Sequence, residues 1–159
     1  MMMSNSDQVS KQPSNPALER LSIFIGEWNT EITSMSFHPD PSAVAHGHTS
    51  FDWLEQGGFL IQHSEVPDTE FPRGIAVIGP DDTAETYCML YFDSRGVSRI
   101  YQMSLSGEVW KIWRDFPGFS QRFLGTFSKD HGVITAHWEK SSDSSNWERD
   151  FNITYTKVS

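Results

Sequence analysis

The sequence has a single cysteine, Cys88, among 159 residues. No internal disulfide can form and no thiol cluster can hold zinc, which agrees with a reducing compartment and predicts a buried, structural thiol. Apolar runs are equally scarce. The longest stretches, such as Ile75 to Ile78, fall far short of the roughly 20 residues that span a bilayer. Positive charge is in short supply too: 12 Lys and Arg against 21 Asp and Glu leave a formal charge of −9. A chain this acidic, with no run of Lys or Arg, repels phosphate backbones, so nucleic acid and anionic membrane surfaces are not expected partners. Gly-x-Gly-x-x-Gly, phosphate-loop, Gly-x-Ser-x-Gly and Cys-x-x-Cys patterns are all absent, which disfavours nucleotide hydrolysis and serine-hydrolase chemistry and implies no cofactor. The opening MMMSNSDQVSKQPSNP has no apolar core or small-residue cleavage pattern, so no secretion signal is read there and a cytoplasmic address is expected.

What remains is architecture. Residues 1–14 are polar and aperiodic and are expected to form a disordered tail, leaving 15–159 as one domain. Asn15-Pro16 is a helix start, and Leu18, Leu21 and Ile25 follow at helical spacing before Gly26. Beyond this short helix, apolar residues alternate with polar ones, and turn signals recur at about 8- to 12-residue spacing. Strands are predicted at 27–37, 43–56, 58–66, 73–79, 85–92, 97–105, 108–115, 119–128, 133–140 and 146–157. An open meander of about ten strands would expose two edges, whereas an all-β, up-and-down antiparallel barrel abolishes them, with the helix available to plug one end.

Side-chain alternation then predicts which residues face inward. A two-residue turn at Ser106-Gly107 would set Met103 opposite Trp110, Tyr101 opposite Ile112 and Arg99 opposite Arg114. A turn at Pro117-Gly118 sets Arg114 opposite Gln121, Ile112 opposite Phe123 and Trp110 opposite Gly125. A turn at Asp130-His131 pairs Phe123 with Trp138 and Phe127 with Ile134. Even-length loops would add Arg149, Phe151 and Ile153 on one side, and Cys88, Leu90 and Phe92 on the other. Guanidinium groups inside a small barrel require an answering anion, or else internal carboxylates or water. Arg99, Tyr101 and Arg114, with Trp110, Gln121, Phe123, Trp138 and Arg149, are therefore the candidate ligand-binding residues. With 6 Trp, 11 Phe and 4 Tyr, the interior suits a small hydrophobic or aromatic, and on the arginine evidence anionic, molecule, the alternative being a filled core. Lyase or isomerase chemistry through Tyr101, Arg99, Arg114 and Tyr87 is the catalytic alternative.

A second constellation is His46, His48 and Asp52 with His63 and Glu65. A two-residue turn at Gly57-Gly58 would set Asp52 opposite His63 and Ser50 opposite Glu65. Such a set can ligate a metal or haem or act as a base. Phe51, Trp53, Leu60 and Val66 occupy the opposite, more core-like face, so the histidines are expected outside. Arg122, near Trp113 and Ile100, is also expected outside. It is either a solvated cation–π contact or part of a homodimer surface.

Gly26-Glu27-Trp28, placed after a short helix and opening the first strand, resembles the Gly-x-Trp signature of lipocalin and calycin barrels, in which a basic residue late in the chain, here Arg149, packs across the Trp. The segments 92–99, Gln121-Arg122-Phe123 and Trp138 to Ser142 are similar to a bacterial family of lipocalin-like barrels of uncharacterised function. The resemblance covers most of residues 18–157. It implies a barrel fold and no established activity.

Overall fold

The computed structural model describes residues 15–55, 58–67, 69–83 and 85–159. The expected tail at 1–14 and Gly57 of the expected first hairpin turn lie outside these. Ten strands follow a short helix: α1 (Pro16–Arg20), a 3-10 turn (Leu21–Phe24), β1 (Gly26–Thr33), β2 (Ala45–Trp53), β3 (Leu60–Glu65), β4 (Gly74–Pro80), β5 (Tyr87–Asp93), β6 (Ser98–Ser106), β7 (Val109–Arg114), β8 (Ser120–Phe127), β9 (Val133–Ser141) and β10 (Glu148–Lys157). Each strand pairs antiparallel with its sequence neighbours, and β1 pairs with β10 to close the barrel. No helix among the described residues is long and apolar enough to cross a membrane.

The helix forms because Asn15 accepts the Ala17 amide at 2.9 Å and Pro16 pre-sets the first turn. It lies across one end of the barrel. The Tyr87 hydroxyl donates to the Ala17 carbonyl at 2.6 Å and the Trp28 indole to the Phe24 carbonyl at 2.8 Å. Phe24 is wholly buried, its ring 5.0 Å from Phe51, 4.7 Å from Trp110 and 5.3 Å from Phe127. The opposite end carries the loops after β1, β3, β5, β7 and β9, where the Phe37, Phe71 and Phe151 rings pack together.

Two hairpins have the expected register: Arg114 opposes Gln121, Ile112 opposes Phe123, and Phe123 opposes Trp138. Two slide by a pair of residues and keep their faces. The β6–β7 turn is Gly107-Glu108, so Met103 meets Ile112 and Arg99 no longer opposes Arg114. The β2–β3 loop is longer than two residues, closed by the Leu54 amide on the Phe59 carbonyl at 2.6 Å. Ser50 therefore meets His63, and His48 meets Glu65.

Two other places reverse the alternation. The β5–β6 turn contains an odd residue: Gly96 sits at φ +82° and Phe92 pairs with Ser98, an arrangement like the glycine bulge of three-residue hairpins. Tyr87, Met89 and Tyr91 thus face inward, while Leu90 and Phe92 are exposed and Cys88 is only half-buried on the outer wall. In β10, a bulge at Asp150 breaks the register between Arg149 and Phe151. Phe151 and Ile153 point inward as expected, but Arg149 emerges on the outer face opposite Glu139 and bonds the Asn152 side chain. The basic group over Trp28 is Lys157, with its Nζ 5.4 Å from the ring centroid.

Gly26 has φ +137°, and a Cβ there would collide with the Ser159 carbonyl and the Lys157 side chain. Gly96 has the left-handed φ but open space around it. Gly96→Ala should therefore lower stability by about 1–2 kcal/mol through backbone strain alone, and Gly26→Ala by more, measured as urea midpoints at constant slope. Equal losses at the two positions would contradict the collision at Gly26.

Candidate functional site

Inside the barrel is a cavity of about 200 Å³. It reaches the surface beside the β3–β4 loop, where Val66, Phe71 and Pro72 line it. Its walls come from the inward-facing alternate residues of nearly every strand. Of the residues expected to bind ligand, Arg99, Tyr101, Trp110, Gln121 and Trp138 line this space. Phe123 stands behind them, its ring 4.6 Å from Trp110 and 5.1 Å from Trp138. Arg114 lies at the rim, its guanidinium 4.2 Å over the Phe116 ring, and Arg149 is outside the barrel.

At the mouth, the Tyr101 hydroxyl donates to Gln121 Oε1 at 2.7 Å, and Arg99 approaches both oxygens at 3.5 and 3.4 Å. Among the described residues no carboxylate forms an ion pair with Arg99 or Arg114. Their charges are met only by neutral oxygens and ring faces. Burial raises the Tyr101 phenol above its ordinary value despite the two neighbouring arginines, so at neutral pH it is a hydrogen-bond donor and not a base. Tyr91, across the ladder from Arg99, donates to Asp93 Oδ2 at 2.8 Å. Arg95 beside Asp93 holds that carboxyl well below the usual carboxylate range.

The floor, near the helix plug, is different. Trp110 is 1% exposed, and its indole N–H is the one buried side-chain polar atom among the described residues without a hydrogen-bond partner. Tyr155, opposite Thr30 on the inner face and 5.9 Å from the Trp110 ring, is a buried residue that lines the cavity. Burial alone pushes its phenol far above the ordinary 10.0. A buried polar group left unpaired costs about 1–3 kcal/mol, so the Trp110 N–H marks a place on the cavity wall where an acceptor would be stabilised.

The second constellation lies outside the barrel. His46 and His63 are exposed, and His48 pairs with Glu27 on the outer wall. No group of three or more His, Cys, Asp or Glu side chains among the described residues is placed to hold a metal ion. Arg122 is outside, as expected, opposite Trp113. It is already engaged by Glu139 at 3.1 and 3.4 Å and by the Trp147 ring at 4.1 Å. Tyr87 serves the helix plug and does not line the cavity.

Met89, Tyr91, Thr30, Gln62 and Tyr155 line the cavity but were not foreseen. The first two were lost with the phase of β5, although the Asp-Ser-Arg-Gly turn carries the signal of an odd residue. The others lie on faces that hairpin parity alone did not connect.

These features define a ten-stranded, closed antiparallel barrel with one small, partly polar interior cavity. No protein-family model matches the chain, and no curated protein matches its sequence. Among solved structures, the chain is similar to the crystal structure of Rv2717c from M. tuberculosis. The TM-score is 0.62 at 11% identity, over 91% of this chain and 99% of that one. At that identity the likeness speaks for the barrel fold alone.

Tyr155 gives a pH test. Its folded-state pKa lies above its unfolded value, so the stability it contributes is complete below about pH 10 and is lost as pH rises further. Tyr155→Phe should leave stability at pH 7 unchanged or higher, since burial alone shifts the phenol, and should shrink the alkaline loss seen in thermal unfolding. A loss above about 1 kcal/mol at pH 7 would reveal a partner for the hydroxyl.

Proposed function

We propose that the protein binds a small aromatic or otherwise hydrophobic molecule inside the barrel. The observation that carries this reading is the unpartnered Trp110 N–H, buried in the wall of a cavity rich in aromatic side chains. A solid core would have placed an apolar side chain there or supplied an acceptor. Arg99 supports the same reading, since it lines the cavity toward its mouth and has no acidic partner among the described residues. Catalysis through Tyr101 is less well supported, because its phenol stays protonated. Haem binding through the histidines would have to occur on the outer wall.

Native mass spectrometry of protein purified without denaturation tests the proposal. A small organic mass should be carried by the folded chain and released on denaturation, and no Soret absorbance should accompany it. Where the chain is isolated empty, tryptophan emission should shift on saturation with small aromatic compounds, because Trp110 and Trp138 line the site. An empty chain whose emission responds to none of them would sink the reading in favour of a structural barrel.

A further inference from the structure

The chemistry of the ligand is constrained by what the cavity offers. Arg99 and Trp110 can only donate hydrogen bonds. Gln121 commits its Oε1 to the Tyr101 hydroxyl, which leaves its side-chain NH₂ as a further donor. Against these, Glu65 is, among the described residues, the one side chain in the lining that can only accept, and it is exposed at the lip. The remaining polar groups, hydroxyls and Gln62, can serve either way. A cation entering this space meets Arg99, and the buried Asp93 carboxylate next to Tyr91 is already paired with Arg95. A plain hydrocarbon leaves the Trp110 N–H unpaired. The donors also sit at two ends: Arg99 and Gln121 toward the mouth, Trp110 beside the Phe24 plug.

Size narrows the choice further. A cavity of about 150 Å³ holds benzene, so one of about 200 Å³ holds a single ring with small substituents and excludes a long acyl chain or a porphyrin. The walls favour a ring over a short aliphatic chain. Tyr101 stands nearly edge-on to both Tyr91 and Trp138, at centroid distances of 6.1 and 5.8 Å, and leaves ring faces for a flat guest.

We infer that the site takes a monocyclic aromatic carboxylate bearing a second acceptor at its far end, with the carboxylate toward Arg99 and Gln121 and the distal acceptor toward the Trp110 N–H. The inference rests on the binding reading above and specifies its ligand. Charge-assisted bonds to a guanidinium are stronger than neutral ones, so the carboxylate should dominate the preference.

Calorimetric titration of the full chain with five probes tests it: 4-hydroxybenzoate, benzoate, 4-hydroxybenzyl alcohol, benzylamine and octanoate. The expected order places 4-hydroxybenzoate first and benzoate next. The neutral alcohol should be at least about tenfold weaker than 4-hydroxybenzoate, and benzylamine should not bind. Arg99→Met should abolish the preference for 4-hydroxybenzoate over the alcohol. Trp110→Phe should abolish the preference for 4-hydroxybenzoate over benzoate. The wild-type ratios carry the test by themselves if either variant fails to fold. Equal affinity for acid and alcohol, or tighter binding of octanoate, would overturn the ligand class and leave the barrel reading intact. Failure of all five probes beside a co-purifying mass of other chemistry would do the same. Failure of all five with no co-purifying mass and no change in tryptophan emission would overturn both.

Discussion

The pairing of β1 with β10 is the constraint on which the cavity depends. Every other contact between strands joins sequence neighbours and would exist equally in an open sheet. The seam, running from Trp28 opposite Lys157 to Thr33 opposite Asn152, converts that sheet into a vessel with an inside. It also removes the two edges at which such a sheet would add foreign strands. The helix plug then acts on the vessel: Phe24 fills the end against Phe51, Trp110 and Phe127, so space remains only above Trp110. Gly26 is where the two meet, because the chain must turn there from the 3-10 turn into the seam with no room for a side chain.

Much of this was legible from residue order. The strand count, the closed meander, the capped helix and the inward faces of β6 to β9 all follow from alternation and turn chemistry. The hairpins at 117–118 and 130–131 even have their register fixed by sequence. What alternation cannot survive is a single extra residue, because a period of two turns any odd insertion into an inversion. Gly96 and Asp150 are two such residues. The first exchanged Cys88, Leu90 and Phe92 for Met89 and Tyr91 inside the barrel, and the second sent Arg149 out. Slides by two, as at Gly107-Glu108, left faces correct and changed only which residues touch. The mouth of the site was thus foreseen in Arg99, Tyr101 and Gln121. The floor was not, since Tyr155 and Thr30 meet only across the seam, a contact between the first strand and the last that no local turn encodes.

Charge is sorted by the same wall. Outside, Glu27 with His48, Glu139 with Arg122, and Asp150 with Lys140 form pairs on or near solvent, an arrangement that contributes little to stability. Inside, the Arg99 guanidinium is met by a tyrosine, an amide and the face of Phe119. A protein of net charge −9 has acidic groups to spare, yet among the described residues none forms an ion pair with Arg99.

The seam also bears on the order of events during folding. Nine of the ten strand pairings join neighbouring strands and can form as hairpins close. The tenth brings together opposite ends of the chain, and its loop-closure entropy is offset only once both partners have something to join. Closure is then the natural last step, and the cavity is the last part of the molecule to come into being. Until that moment, Tyr155 and Thr30 face water on separate edges, and the site has no floor.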